Sequence, residues 1–248
     1  MITLKNKTEL ELMRIAGQIS AQALAIGGAE VKPGATTAHI DSVIHKFIKS
    51  QNAIPSFLGY DGFPASACIS INEEVIHGIP GARVIQEGDI VSIDVGAIYK
   101  GFHGDNAATF AAGAISPEAR LLLDVTRDSL FKGIAAALKG NRVGDVSHAV
   151  QAHVEGVHMG VVRSYVGHGV GREMHESPEV PNFGQPGKGP RLLSGMTIAI
   201  EPMINLGGGE VKVLADGWTV VTADGSLSAH FENSIAITDN GPVILTAV

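Results

Sequence analysis

The sequence predicts a mixed helix-and-strand domain made of two related halves. Two observations carry this. The segment Arg83-Val-Ile-Gln-Glu-Gly88-Asp-Ile-Val-Ser-Ile-Asp94 matches Arg191-Leu-Leu-Ser-Gly195-Met-Thr-Ile-Ala-Ile-Glu201 with one gap. In each copy a glycine precedes a strand, and an acid follows that glycine by six positions. The helical stretches before the two copies also echo each other, with Gly34 matching Gly144. Nothing with the composition of a linker separates the copies, so residues 1–248 read as one domain.

The elements follow in order. Thr8 with Glu11 three residues later reads as a capping box that opens the first helix, and Gly27-Gly28 reads as its stop. Pro33-Gly34 makes a turn. Thr36 or Thr37 caps a second helix, with Ile40, Val43, Ile44, Phe47 and Ile48 on one face. Residues 54–81 read as loop with short extended pieces such as Cys68–Ile71. The alternating strand Gly88–Ile98 returns through Phe102–Phe110. Ser116-Pro117 is a cap followed by a helix-opening proline, and that third helix is expected to end at Gly140. A fourth is expected from about Asp145 to His158. The rest reads as strands and turns, including a hairpin around Asp224-Gly225.

Composition narrows the function classes. Charged residues are 17% of the 248 and the formal net charge is −7. An acidic chain with scattered Lys and Arg makes a poor nucleic-acid binder. No window approaches the ~18 consecutive apolar residues of a membrane span, and the first residues lack the apolar core of a signal peptide. The single cysteine, Cys68, excludes an internal disulfide and fits a reducing cytoplasmic setting. Glycine is abundant, at 31 residues against a usual ~7%, and points to tight turns and close backbone approaches.

The chemistry begins at the strand pair. With Tyr99-Lys100 as the turn, Asp94 and Asp105 face each other directly, their Cβ atoms roughly 5 Å apart. Two facing carboxylates repel, and a strand of Ile, Val, Ala and Gly gives them little solvent; a divalent cation would offset both costs. The repeat places Glu201 at the position of Asp94, between Ile198-Ala-Ile200 and Pro202-Met-Ile. Glu232 stands in a similar apolar strand context. His168, between Gly167 and Gly169, is a fifth candidate donor, its small neighbours leaving room for a close approach. The glycines around it lack the strand–loop–helix context and downstream lysine of a phosphate loop.

The order Asp94, Asp105, His168, Glu201, Glu232 resembles the ligand order of the dinuclear pita-bread peptidases. Asn72-Glu-Glu-Val-Ile-His77-Gly-Ile-Pro80, Gly167–Gly171 through His175-Glu176, Ile200-Glu201-Pro202 and Phe231-Glu232-Asn233 resemble type I methionine aminopeptidases over essentially the whole chain. The resemblance implies an α+β fold, the pita-bread (creatinase/aminopeptidase) fold, with two pseudo-symmetric halves and a central antiparallel sheet flanked by helices. It implies a hydrolase that removes the initiator methionine from nascent proteins, prefers a small second residue and works through a hydroxide bridging two metal ions.

By the same resemblance, Asp94 binds one ion through both oxygens, Asp105 and Glu232 bridge the pair, and His168 and Glu201 complete the second. Four carboxylates and one imidazole suit two divalent ions drawn from Co, Mn, Fe or Zn. Glu201 is expected to shuttle the proton, His175 to stabilise the oxyanion, and His77 to contact the scissile nitrogen or the next residue's backbone. Tyr60, Phe63, Cys68, Met174 and Trp218 are the matching pocket positions, and a thioether suits such a wall. Phe63 and Phe57 stand where some members have Tyr and Cys. His103 is left as structural; His39, His45, His148, His153 and His158 read as helix-surface or packing residues. The implied setting is cytoplasmic, with Met-initiated polypeptides as partners, no nucleic acid or membrane, a monomeric chain, and room for ribosome association. An Xaa-Pro peptidase of the same fold usually carries a further N-terminal domain, for which the 248 residues leave no room; a non-catalytic binding module would have lost metal donors, and all five are present.

Overall fold

The computed structural model describes residues 1–247. In chain order the elements are α1 (Lys7–Ala29), α2 (Thr37–Ser50), β1 (Ile54–Pro55), a 3-10 turn at Tyr60–Gly62, β2 (Ala67–Ile71), β3 (Glu74–Ile76), β4 (Ile90–Tyr99) and β5 (Phe102–Ala111). Then come α3 (Pro117–Ala136), α4 (Val143–Glu155), β6 (Gly160–Val161), β7 (Gly167–Gly169), β8 (Glu176–Val180), β9 (Thr197–Ile200) and β10 (Met203–Asn205). The chain ends through β11 (Val211–Val213), β12 (Val220–Thr222), β13 (Ser228–His230), β14 (Glu232–Thr238) and β15 (Gly241–Ile244).

A nine-stranded antiparallel sheet runs β1-β4-β5-β14-β9-β7-β8, with β2 also on β4 and β15 also on β14. Two small sheets, β13-β10-β6 and β11-β12-β3, complete it. The helices α1 and α2 cover the β4–β5 side: Ile40, Ile44 and Ile48 of α2 are fully buried with Ile69, Ile93 and Val95 of the sheet. Each such side chain contributes about 1.5–3 kcal/mol by leaving water, and that anchors the helix. On the other half, Leu130 and Ile134 of α3 and Val146 and Val150 of α4 pack on Ile198, Ile200 and Ile235. The expectation of a pita-bread fold with two related halves holds.

The relation between the halves is visible atom by atom. Gly34 N–H donates to Ile85 O at 2.9 Å, and Gly140 N–H donates to Leu192 O at 2.9 Å. Ile85 and Leu192 return the bond to Ala35 O and Asn141 O. Isolated bridges join Thr36 to Val84 and Arg142 to Arg191. Gly34, therefore, corresponds to Gly140 and not to Gly144, and Val84, not Arg83, is the counterpart of Arg191, which removes the gap from the repeat.

Other local expectations change. Asn6 caps α1, accepting from Thr8 N–H and Glu9 N–H at 3.0 Å each, while Glu9 reaches back to Asn6 N–H. Asn is at least as good a cap as Thr, so the box sits two residues earlier than Thr8 and Glu11. Gly27 and Gly28 do not stop α1. A Cβ at Gly28 would lie 2.2 Å from the Phe110 ring and one at Gly27 2.6 Å from Ile44; these glycines permit close packing. α3 ends at Ala136, and α4 opens at Val143; His158 falls beyond it. Asp224-Gly225 joins β12 and β13, which lie in different sheets, so it is a crossing and not a hairpin.

The turn between β4 and β5 also shifts. Tyr99 pairs with Phe102, so Lys100-Gly101 is the two-residue loop, with φ of 48° and 80°. Positive φ at both positions is the type I′ signature that matches strand twist. Asp94 then faces Ala107, and Asp105 faces Gly96. The predicted direct opposition of the two acids is wrong by two residues. An even shift preserves the face, so both carboxylates still project from one side.

Candidate active site

Five neighbouring strands bring the donor residues to one face of the large sheet. Ala107 of β5 pairs with Asp94 on one side and Glu232 on the other. Asp105 lies two residues along β5, hence on the same face. Asn233 pairs with Ile200, so the next antiparallel step sets Glu232 against Glu201. Gly169 of β7 pairs with Ile198, which puts His168 level with Ala199 and on the face of Glu201. β7 threads between β8 and β9 so tightly that a Cβ at Gly167 would meet Ala199 O at 2.4 Å.

These residues are buried and incompletely paired. Asp105 and Glu232 are each 3% exposed. Asp94 Oδ1, Asp105 Oδ1 and Glu232 Oε1 have no hydrogen-bond partner. His168 Nδ1 lies 2.8 Å from Gly169 O, so that nitrogen carries the proton and donates. Nε2 is left as a bare lone pair, 3.5 Å from Glu201 Oε1 and 3.8 Å from Asp105 Oδ2. Donor atoms of Asp105, His168 and Glu232 lie within 4.8 Å of one another.

Electrostatics follow from this crowding. Burial raises the Asp105 carboxyl from 3.8 to about 7. Asp94, Glu201 and Glu232 are raised well above their ordinary values, first by burial and then by the neighbouring carboxylates. Burial lowers His77 and His168 to about 4 and the fully buried His230 to about 3; His175 also falls, for the same reason. Neutral imidazoles beside acids that resist ionisation, with lone pairs aimed inward, are the arrangement a divalent cation would complete.

All twelve predicted site residues line one pocket of about 230 Å³. Phe63, Cys68, Met174 and Trp218 form its apolar wall with Phe57, and the Phe63 and Trp218 rings meet edge to face at 5.1 Å. Tyr60 Oη hydrogen-bonds His175 Nδ1 at 2.7 Å, and the His175 ring lies 4.3 Å from that of His168. His77, at φ 60°, presents its ring edge to Tyr165 at 5.7 Å and to Trp218 at 6.3 Å. His103 is buried on Ser56 Oγ at 3.0 Å, a structural contact as expected.

Three neighbours escape the sequence reading. His230 is 2% exposed, and its unpartnered Nε2 lies 4.0 Å from Glu201 Oε2. Its spacing of two from Glu232 is the signal that marks it. Asn182 donates to Glu201 O at 3.0 Å and has no sequence signal. Tyr165 lines the mouth.

The profile of metallopeptidase family M24 matches residues 11–239. The methionine aminopeptidase of Clostridium acetobutylicum is 59% identical over 247 residues, covering 99% of each chain. The chain belongs to the methionine aminopeptidase family of M24 metallopeptidases. Methionine aminopeptidase 1 of Bacillus subtilis is 53% identical over the full length of both chains. Among solved structures, the methionine aminopeptidase of Thermotoga maritima superposes with a TM-score of 0.99 at 47% identity, covering both chains completely. A prolidase from Pyrococcus furiosus shares the fold at a TM-score of 0.78 and 22% identity; this chain spans 65% of that longer one. Within this metallopeptidase family the described residues hold no helix long and apolar enough to cross a membrane.

Proposed function

We propose that the protein is a metal-dependent aminopeptidase that removes an N-terminal methionine from polypeptides, with a small second residue preferred. The observation that carries the reading is the joining, in one pocket, of five inward-facing metal donors and an apolar wall of Phe57, Phe63, Cys68, Met174 and Trp218. Residues 1–248 act as one catalytic unit, in the cytoplasm; a single buried free cysteine supports that setting.

Asp94, Asp105, His168, Glu201 and Glu232 would hold two divalent ions, of Co, Mn, Fe or Zn. Their orphaned buried oxygens fit such a load, and the oxygen-rich set favours harder ions. When bound, the ions supply an acidified water and a Lewis acid for the scissile carbonyl. The substrate's α-amine docks among the carboxylates, so only a terminal residue is admitted, and its thioether lies on the aromatic wall. Glu201 takes a proton from the attacking water and delivers it to the leaving amine. Its place among the other donor residues, 3.5 Å from His168 Nε2, puts its carboxylate beside the reacting atoms, as both steps require.

The oxyanion role requires the tautomer in which His175 Nδ1 accepts from the Tyr60 hydroxyl 2.7 Å away, so that Nε2–H is free to donate to the tetrahedral oxyanion. His77 contacts the scissile nitrogen or the following backbone. The rings of His77, Tyr165 and Trp218 crowd the mouth, in accord with a small second residue. The partners are nascent chains beginning with Met, met as a monomer, with the ribosome as a further partner.

A peptide assay tests this. Metal-loaded protein should cleave Met-Gly-Met-Met, cleave a Met-Leu peptide poorly, and leave an Ala-Pro peptide intact. Cleavage of the Ala-Pro peptide alone, or of neither peptide with any divalent ion, overturns the reading.

A further inference from the structure

Lys5 lies outside the pocket, in the short arm before α1, yet it is 6% exposed and the one lysine or arginine in the buried set among the described residues. Its Nζ donates to Glu176 Oε2. Its backbone N–H donates to Gly195 O at 2.7 Å, which ties the arm to the turn that starts β9. The second Glu176 oxygen, Oε1, accepts from Arg172 N–H at 2.9 Å and Glu173 N–H at 3.4 Å. The carboxylate therefore closes the turn 172–176 upon itself, and Met174 and His175 are the residues inside that loop. From the other side His103 N–H holds Gly171 O at 2.8 Å. There is no slack: a Cβ at Gly171 would lie 2.4 Å from Glu176 Oε1 and 2.6 Å from Lys5 Cε.

A buried ion pair is a poor source of stability, because desolvation offsets most of its attraction and an apolar pair often serves as well. Its directional hydrogen bonds do fix geometry. Here the geometry they fix is that of the backbone immediately flanking His175, whose ring must reach the reacting carbonyl within a fraction of an ångström.

We propose that Lys5 is a positioning residue: through Glu176, the arm before the first helix holds the turn that aims His175 into the pocket. The proposal rests on the oxyanion role of His175 given above. It makes the N-terminal arm part of the active-site apparatus, although no atom of it lines the pocket.

A double-mutant cycle on the metal-loaded enzyme with Met-Gly-Met-Met tests it. Lys5→Met should lower kcat by about 10- to 100-fold, the scale of an ångström misplacement, with a much smaller change in KM. In a His175→Ala background the same change should alter kcat by less than about twofold, since the group being aimed is gone. Lys5→Arg, which keeps a donor to Glu176, should recover most of the activity. If Lys5→Met does not fold, Lys5→Met/Glu176→Gln removes the unpaired charge and should show the same pattern. Unchanged kcat in Lys5→Met, or an equal loss in both backgrounds, overturns the proposal while leaving His175 in its role. Unchanged kcat in His175→Ala itself overturns the role of His175, and this proposal with it.

Discussion

The two halves of the molecule share a scaffold and differ in what they hang on it. In the first, β4 and β5 form a continuous ten-residue hairpin closed by two residues, and it presents Asp94 and Asp105. In the second, β9 has four residues and reaches β14 only after some thirty residues of other strands; it presents Glu201 and Glu232. The long regular hairpin uses the short acid, and the short strands use the longer one. In the second half β7 lies on β9 and, with its return β8, brings His168 and His175; in the first, β2 lies on β4 and leads on to His77. Duplication therefore accounts for the shared framework of turns and strands, while unequal side chains, with Phe57, Phe63, Cys68 and His77 from the first half and His168, Met174, His175 and Trp218 from the second, supply the asymmetry that a directional reaction requires.

Changes to the acids should give the largest effects. Asp105→Asn on the first half should cut kcat/KM by more than the about 10- to 100-fold expected of an outer partner of a metal ligand; a steady-state assay with excess metal reads this, and near-parental turnover would break the assignment. His175→Ala, on the second half, should lower kcat by about 10²- to 10³-fold, as for loss of one oxyanion donor, while metal content measured by plasma emission stays at the parental level. If His175→Ala instead loses metal, the division of labour between the halves is wrong.

Core packing should be more even-handed. Ile44→Ala empties a fully buried position against the first half and should cost about 2–5 kcal/mol in urea denaturation. Turnover per folded molecule should be unaffected, because Ile44 packs in the core under the sheet and does not line the pocket. A loss of turnover with little change in stability would mean that the helices do more than cover the sheet.

The pH dependence of the metal-free protein isolates the carboxylates. A buried histidine whose folded value is about 4 or 3 adds stability as pH rises toward the unfolded value of 6.5, after which its contribution is complete. Acids held above their ordinary values act in the opposite sense. Asp105 at about 7, and its neighbours raised well above their ordinary values, keep protons that the unfolded chain has lost, so stability falls as pH rises. Between pH 6.5 and about pH 8 only the acids still titrate, and the Tm of chelator-treated protein should fall. Divalent ion should reverse the fall. A flat or rising Tm across that window would show that burial does not hold the acids protonated in the folded chain.

The smallest effect belongs to the hairpin turn. Lys100→Asn places a residue tolerant of positive φ before Gly101 and should stabilise by about 0.5 kcal/mol, by analogy with other substitutions that suit the local backbone.

Much of this is legible in the sequence because the relevant signals are local or periodic. Acids set in apolar strands, glycine before each of those strands and the helical spacing of Ile40, Ile44 and Ile48 follow from burial and geometry alone. The register of β4 and β5 lies two residues from the one the sequence suggests because Lys100, unlike Asn or Gly, does not advertise positive φ. Gly27-Gly28 misled because a glycine that admits Phe110 looks the same in sequence as one that ends a helix. Asp224-Gly225 has the composition of a hairpin turn, but which sheet each flanking strand joins is decided by partners far along the chain. Lys5 and Asn182 act across 171 and 19 residues of sequence, where no spacing rule reaches.

The central claim is that one face of the large sheet, fed by both halves, holds a pair of divalent ions. Native mass spectrometry of the chelator-stripped and reloaded chain tests it most directly. The account predicts two ions per parental chain and their loss in Asp105→Asn. A parental chain that takes up none or one, or a two-ion load that survives Asp105→Asn unchanged, would contradict it.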